Sequence, residues 1–419
     1  MRDFIIRENR LSEKERRNLS ILDSIRKGGE ISRAEISKLT DLNIVTVSNY
    51  VSKYIKSKIV FETGLDISSG GRRPELLTLN SGYGYSIGID LGSPHVMNDS
   101  YMVSVLTDLS GKVIAREEIK KEIESFDKMT EKVLTMTQTL VKNANIKISD
   151  IKGIGVGIWG VIDRYRGLVR YATEKEDIVS YTNLLDKLES RFGVSTVIEH
   201  DATLAAFGEN WSGIGVGSSS ENLVFLCGDS SCGIILKGEV YYGASKSAGE
   251  LNINPPHNAE PKEKDRCWSD YDYGCVLRSR GIDLGTTARL KSYLEEHSEE
   301  RSMAVEMVNG DLDDLCYSVI AEAAEKGDQL SIKILEDAGN YLGVKISFLI
   351  NLFNPEVIIV GRGVEKAWDS IFPAIRNSVR KWGYDESVKV AKILPTSLGT
   401  DVVAIGASAL VVKNIFENV

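Results

Sequence analysis

The sequence predicts an α/β chain in two unlike parts, a winged helix-turn-helix module over residues 1–80 and a two-lobed body over residues 81–419. Three observations carry that prediction. Residues 1–80 show helical stripes of apolar side chains separated by capping signals and closed by a glycine–arginine turn. Beyond residue 84 a strand meander is followed by helix, and the same pattern then recurs. The charge divides along the same line: residues 1–80 carry 15 lysines and arginines against 11 acidic residues, a net +4, inside a chain of net charge -9. A basic module on an acidic body is the asymmetry expected when one part meets nucleic acid and the rest stays off it.

At 419 residues the chain is too long for a single ordinary core. Its 42% hydrophobic and 26% charged residues are those of a soluble globular protein. No uninterrupted apolar run reaches the roughly 18 to 20 residues that cross a bilayer, and no signal-type apolar block follows the charged start, so a cytoplasmic protein without a membrane partner is expected. Five cysteines, an odd number without a secretion signal, fit a reducing compartment.

In residues 1–80, Glu13 to Lys27 carries Leu19, Ile21, Leu22 and Ile25 at helical spacing, and Gly28-Gly29 ends that helix. Ser32-Arg33-Ala34-Glu35 is a capping box that opens a short second helix, with Ala34, Ile36 and Leu39 expected inward. After the turn Asp41-Leu42-Asn43, Asn43 caps a third helix running to about Lys58. Its inward face is Ile44, Val47, Val51, Tyr54 and Ile55. Its outward face carries Thr46, Ser48, Asn49, Ser52, Lys53 and Lys56. Hydroxyl and amide groups near the start suit base edges, and lysines further along suit phosphates. Ile59 to Glu62 and Glu75 to Leu79 then read as the two strands of a wing, with Gly70-Gly71-Arg72-Arg73-Pro74 between them. Adjacent guanidinium groups on such a turn suit a DNA backbone or a narrow minor groove, so Thr46, Ser48, Asn49, Lys53, Arg72 and Arg73 are the expected DNA-binding residues.

The body begins with a strand, Tyr85 to Leu91, ending in Asp90-Leu91-Gly92, followed by Met102 to Asp108 and Val113 to Ile119 as meander partners. A helix from about Lys128 to Asn143 leads to the glycine-rich strand Ile151 to Ile158. Strand Ser195 to Ile198 then runs through Glu199-His200-Asp201 into a helix, Ala202 to Gly208. The second set starts at Leu223 to Leu226 and Gly233 to Leu236. It continues through helices between about Asp311 and Leu352, strand Val357 to Val360 and a helix near Ile405 to Phe416. Two similar lobes around a cleft follow: lobe 1 of about 84–200 with the helix 404–417, and lobe 2 of about 201–400.

The ordered segments IGIDLG, GIGVGIWGVID, VIEHDATLAAFGE, AGEL, NPEVIIVGRG and AIGASAL resemble the ROK family of repressors, open reading frames and sugar kinases, across residues 84–412. With the amino-terminal module included, the chain resembles the NagC/XylR-type regulators of that family. The resemblance implies an actin-like, hexokinase-like body with a sugar between its lobes and, in the kinases, ATP beside it. It implies that Asp201 is the aspartate that meets a sugar hydroxyl and Glu250 a glutamate that binds sugar hydroxyls, while His200 stands where the family has asparagine. The family's glycine-histidine after the glutamate reads Asn252-Ile253 here, and Leu277 replaces a glutamate. His200, Asp201 and Glu250 are thus the expected ligand-binding residues.

Phosphoryl transfer requires phosphate cradles and a base near the acceptor hydroxyl. Here Ser93-Pro94 stands where the family's kinases place glycine and threonine, and Pro94 has no backbone donor. The second cradle reads Cys227-Gly228-Asp229-Ser230-Ser231-Cys232-Gly233, with Asp229 expected to repel an anion. In Gly361-Arg362-Gly363, Arg362 replaces a usual glycine. The family's zinc pattern is broken in Cys267 to Cys275, and no metal or other cofactor is expected, although His257, Cys267 and Cys275 could be joined by Asp270 or Asp272 in a site of another kind. The sequence therefore points to a transcriptional regulator, with repression expected over activation. Its expected partners are a double-stranded DNA operator, a sugar or sugar-derived effector and a second copy of itself, as a dimer or tetramer. The competing reading is an ATP-dependent sugar kinase with an appended DNA-binding module; a third is a body that binds a transport component.

Overall fold

Serine side chains start the first two helices. In the computed structural model, which describes residues 11–65, 75–92, 101–122, 125–170, 178–214, 220–251 and 283–419, Ser12 caps α1 (Glu13–Gly28). Ser32 ends the two-residue strand β1 (Ile31–Ser32) and caps α2 (Arg33–Thr40). Both are capping boxes, closed by Glu15 and Glu35 reaching back to the serine N–H. Asn43 caps α3 (Ile44–Lys56), accepting from the Thr46 N–H at 2.8 Å.

Ile21, Leu22 and Ile25 of α1, Ile36 of α2 and Val47, Val51 and Tyr54 of α3 are buried in one cluster with Leu77. Three residues expected inward are exposed instead: Ala34, Leu39 at 67% and Ile44 at 45%. Helix α2 has only two turns and buries a single position, Ile36, while Ile44 is the first residue of α3 and projects beyond the packed region. Strands β2 (Val60–Leu65) and β3 (Glu75–Leu79) pair antiparallel, and β1 joins the far edge of β3. Arg33, at the start of α2, reaches Glu62 on one strand and Glu75 on the other, which orients the strand pair against the helix more than it stabilises it. The turn at Gly70-Gly71 with Arg72 and Arg73 lies outside the described residues.

Asn80 ties the connection to the body, donating its N–H to Ile59 O at 2.9 Å and its side-chain amide to Lys58 O at 2.7 Å. Strands β4 (Tyr85–Asp90), β5 (Tyr101–Asp108) and β6 (Val113–Lys120) form the meander, and α4 (Phe126–Asn143) leads to β7 (Ile151–Ile158). A small sheet of β8 (Val161–Asp163), β9 (Leu168–Arg170) and β10 (Ile178–Ser180) precedes α5 (Thr182–Phe192), β11 (Thr196–His200) and α6 (Asp201–Ser212). The pattern recurs in β12 (Leu223–Cys227), β13 (Ser231–Leu236) and β14 (Glu239–Val240). Helices α7 (Thr286–Glu296), α8 (Met303–Met307), α9 (Tyr317–Glu325) and α10 (Gln329–Phe353) come before β15 (Val357–Gly361). The chain closes with α11 (Trp368–Trp382), α12 (Asp385–Val390), β16 (Lys392–Pro395) and α13 (Val402–Glu417).

The two five-stranded sheets are wired alike. Their orders are β11-β7-β4-β5-β6 and β14-β13-β12-β15-β16, each an antiparallel meander extended by two parallel strands. The carboxyl ends of parallel strands in open sheets are where ligands bind. Those of β4, β11 and β15 deliver Asp90, His200 and Gly361, each followed directly by a turn or a helix start.

Helix α13 lies on the first sheet and against α6. Glycines permit the approach: a Cβ on Gly88 would fall 1.8 Å from the Ala404 carbonyl oxygen, and one on Gly406 would fall 1.9 Å from that of Leu204. The segment Gly399–Glu417 is long and apolar enough to cross a membrane, but it is two-thirds buried inside the protein and is hydrophobic all round because protein surrounds it. Its end also meets α1. The buried Asn18 donates to Glu417 O at 3.2 Å and Val419 O at 2.8 Å and accepts from the Tyr54 hydroxyl at 2.8 Å, so one side chain joins α1, α3 and the carboxyl end of the chain.

Candidate functional site

The start of α6 gathers ionisable side chains from several elements. Asp201 is 1% exposed; its Oδ1 accepts from the Ala202 N–H at 2.7 Å and its Oδ2 from the Arg362 guanidinium at 3.1 Å. The same guanidinium donates to Asp90 at the end of β4. His200 Nε2 lies 3.5 Å from both Asp201 Oδ1 and Glu250 Oε1, too long for a strong hydrogen bond but close enough for one hydroxyl to meet all three groups. Glu250 is held there because its segment runs beside β13, with Cys232 N–H on Gly249 O at 2.7 Å and Leu251 N–H on Ser230 O at 3.1 Å. The structure thus brings together the three sequence-expected ligand residues, His200, Asp201 and Glu250, and adds Arg362 and Asp90.

Behind them, Glu199 is a buried support. It takes the Arg164 guanidinium at 2.5 Å, the His200 N–H at 2.8 Å and the Tyr242 hydroxyl at 3.3 Å, and Arg164 also donates to Ile198 O at 2.8 Å. That set fixes the backbone on which His200 and Asp201 stand. Burial pushes the Glu250 carboxyl above the usual glutamate range, opposed by the His200 and Arg170 charges. A hydroxyl ligand donates to the ionised form. As pH falls, Glu250 takes up its proton earlier than an ordinary glutamate, so ligand affinity should rise with pH through that raised pKa and then level off. Isothermal titration from pH 5 to 8 tests this: Glu250→Gln should bind weakly with a flat profile, and a wild-type profile equally flat would remove Glu250 from the pocket.

The two turns that stand where the family's kinases hold phosphate, and that were expected to hold none here, are bonded within their own chain. Gly92 N–H donates to Asp90 Oδ1 at 2.9 Å, Leu91 N–H to Gly157 O at 3.1 Å, and Lys121 caps the Leu91 and Gly92 carbonyls at 2.9 and 3.0 Å. Ser93 and Pro94 lie outside the described residues. The expectation for Asp229 is corrected. Its carboxylate does not face an anion site but turns into the core, fully buried, where Tyr341 donates at 2.8 Å and Lys345 Nζ lies 3.4 Å away, with Lys345 also on the Asp229 carbonyl at 2.6 Å. Charge neutralisation by Lys345 makes that burial tolerable, and the lysine lies too far along the sequence for local reading to pair them.

At its far end α6 meets a side chain of α1. Trp211, 7% exposed, packs at a tilt against Phe207 and Phe416 and carries the Arg26 guanidinium over its ring at 4.3 Å. Beside that contact a cavity of about 560 Å³ lies between part of α1 and the body, bounded by Leu19, Lys27, Phe207, Tyr242 and Leu410 among others. Tyr242 therefore touches both the cavity and the Glu199 support of the cleft.

On α3, Asn49, Ser52, Lys53 and Lys56 are exposed along one face, while Thr46 and Ser48 are half-buried on its flanks. Lys53 also sits 5.3 Å over the Tyr50 ring. Val45, 65% exposed, lies on the same face as Asn49 and Ser52, four and seven residues on, and was hidden from sequence reasoning only by being apolar. Such a side chain suits a thymine methyl group. His257, Cys267 and Cys275 lie outside the described residues.

Comparison with known proteins places these features. The model of the ROK family matches residues 86–414. A xylose repressor from Caldicellulosiruptor bescii is 29% identical, with 95% of this chain and 96% of that one covered. Among solved structures, a ROK family transcriptional regulator, a homologue of the E. coli MLC protein, superposes with TM-score 0.70 at 21% identity, over 96% of this chain and 97% of that one. A ROK family glucokinase from Streptomyces griseus, in complex with glucose and AMPPNP, superposes with TM-score 0.60 at 22% identity; it is covered over 99% of its length but matches 78% of this chain.

Proposed function

The chain belongs to the ROK family, and on that premise we propose that it is a DNA-binding transcriptional repressor of sugar-metabolism genes, released by a sugar held in a kinase-like cleft that transfers no phosphate. Residues 1–80 act as a winged helix-turn-helix, with α3 in the major groove and the turn bearing Arg72 and Arg73 on the backbone or minor groove. Residues 81–419 act as an actin-like sensor of two lobes. The carrying observation is the span of α6, which starts at Asp201 among the ligand groups and ends at Trp211 under Arg26 of the DNA-binding module. Full-length similarity to a xylose repressor supports the reading and makes D-xylose the first effector to test.

The mechanism is linkage. A sugar hydroxyl on Asp201, His200 and Glu250 favours one setting of α6 relative to the sheets, and α6 passes that setting to α1 through Trp211 and α13. The cavity beside Trp211 leaves α1 room to shift, while Asn18 keeps it tethered. In a dimer, such a shift takes two α3 helices out of register with half-sites about one DNA turn apart.

Selection of duplexes from a random library, followed by fluorescence anisotropy in the presence of a sugar panel, tests the function. Nanomolar binding with a steep salt dependence, relieved by one sugar, is expected. Enrichment of no duplex, or ATP-dependent phosphorylation of any sugar in the panel, would defeat the proposal. Arg26→Ala should keep DNA and sugar affinities within about twofold yet lose most of the sugar-induced release, which for such couplings spans about 5- to 150-fold. Unaltered release in that variant would remove α6 and α1 as the route.

A further inference from the structure

Arg362 is left unexplained by the regulator reading. It follows β15 with φ 64, in the left-handed region that glycine enters freely and other residues enter at a cost. A side chain held on such a backbone needs compensating contacts, and Arg362 has two. Its guanidinium, 9% exposed, donates to Asp90 and, at 3.1 Å, to Asp201, whose side chains are 3% and 1% exposed. Asp90 ends a strand of the first sheet, Arg362 follows a strand of the second, and Asp201 opens α6.

Two buried carboxylates facing one another cannot both stay charged without a cation between them. A hard divalent ion with water completing its shell is one such cation, and it is the one that brings a polyphosphate with it. A guanidinium is another, with planar donors and a charge it does not lose.

We infer that Arg362 is a resident cation occupying the place of a metal–polyphosphate between Asp90 and Asp201, so that the cleft excludes nucleotides and answers to the sugar alone. The inference rests on the sensor reading for its purpose, but the binding it describes is measured without DNA. With Oδ2 bonded to Arg362 and Oδ1 to the Ala202 N–H, Asp201 keeps lone pairs that can accept a sugar hydroxyl's hydrogen bond. The same residue that shuts out the phosphoryl donor thus holds the Asp201 carboxylate in place as an acceptor for the sugar.

Full-length Arg362→Gly tests this, because glycine suits the φ of the turn and leaves the two carboxylates face to face. In EDTA the variant should melt below the wild type, and saturating Mn2+ should raise its melting temperature by about 5 °C while moving the wild type by less than about 1 °C. Binding of a fluorescent ATP analogue with Mg2+ should be at least about tenfold tighter in the variant than in the wild type. The double variant Arg362→Gly/Asp90→Asn should regain stability in EDTA and lose the Mn2+ response. Equal Mn2+ responses in wild type and Arg362→Gly, or a folded Arg362→Gly that answers neither Mn2+ nor nucleotide, would overturn the inference. If Arg362→Gly does not fold in EDTA, recovery in Mn2+ or by the second substitution upholds it, and recovery by neither overturns it. Absence of operator binding by the wild type would instead count against the regulator reading and leave these outcomes standing.

Discussion

Lys345→Met is expected to destabilise the protein by about 3–5 kcal/mol, the usual cost of stranding one member of a buried ion pair. Lys345 and Tyr341 sit one turn apart on α10 and approach Asp229 together; the lysine side chain is 5% exposed and the aspartate fully buried. Methionine nearly preserves the volume of lysine, so the loss reports charge and hydrogen bonding and not a cavity. Asp229→Asn combined with Lys345→Met should recover most of it, since no unpaired charge remains. Tyr341→Phe, which removes one hydrogen bond, should cost about 1–2 kcal/mol. Denaturant unfolding of the four proteins decides the matter. A cost below about 1 kcal/mol for Lys345→Met would mean that Asp229 reaches water and that the turn between β12 and β13 is open after all.

That contact also marks the boundary of what was legible in the sequence. The Ser32 capping box, the Asn43 cap, the meander strands and the glycine-rich β7 are local signals, and each element stands within a few residues of its expected place. Asp201 and Glu250 were singled out by the order of the motifs around them, and the structure puts His200 between them. What escaped depends on distance. The pairing of Asp229 with Lys345 spans 116 residues and that of Arg362 with Asp90 spans 272, so neither leaves a periodic trace. In the sequence Arg362 was merely a replaced glycine. The small sheet β8–β10 and strand β16 are short and lack the alternation that marks a half-buried strand. Leu39 and Ile44 fitted a helical stripe, yet their exposure is set by where the three-helix core ends, which periodicity does not encode.

Asp201→Asn should separate the sensing role of α6 from its structural one. The asparagine oxygen can still accept the Ala202 N–H, while its NH2 group now faces the Arg362 guanidinium, which retains Asp90. Hydrogen bonds to a charged acceptor contribute about 1.5–3 kcal/mol, so sugar affinity should fall about 10- to 150-fold. Operator affinity without sugar should stay within about twofold, giving a repressor that remains on DNA at sugar concentrations that release the wild type. Losing the negative charge at the start of α6 should cost about 0.3–1 kcal/mol of stability through the helix dipole, beside about 1.5–3 kcal/mol for the lost hydrogen bond to Arg362. If Asp201 only anchored the helix, the variant would melt earlier and bind DNA less well while responding to the same sugar concentration as before. The comparison with Arg26→Ala sharpens this, because coupling is reciprocal. Asp201→Asn should raise the sugar concentration needed for release by the factor lost in direct binding, whereas Arg26→Ala should leave direct binding alone and shrink the difference between sugar affinities with and without DNA. Both patterns together would locate sensing at one end of α6 and readout at the other.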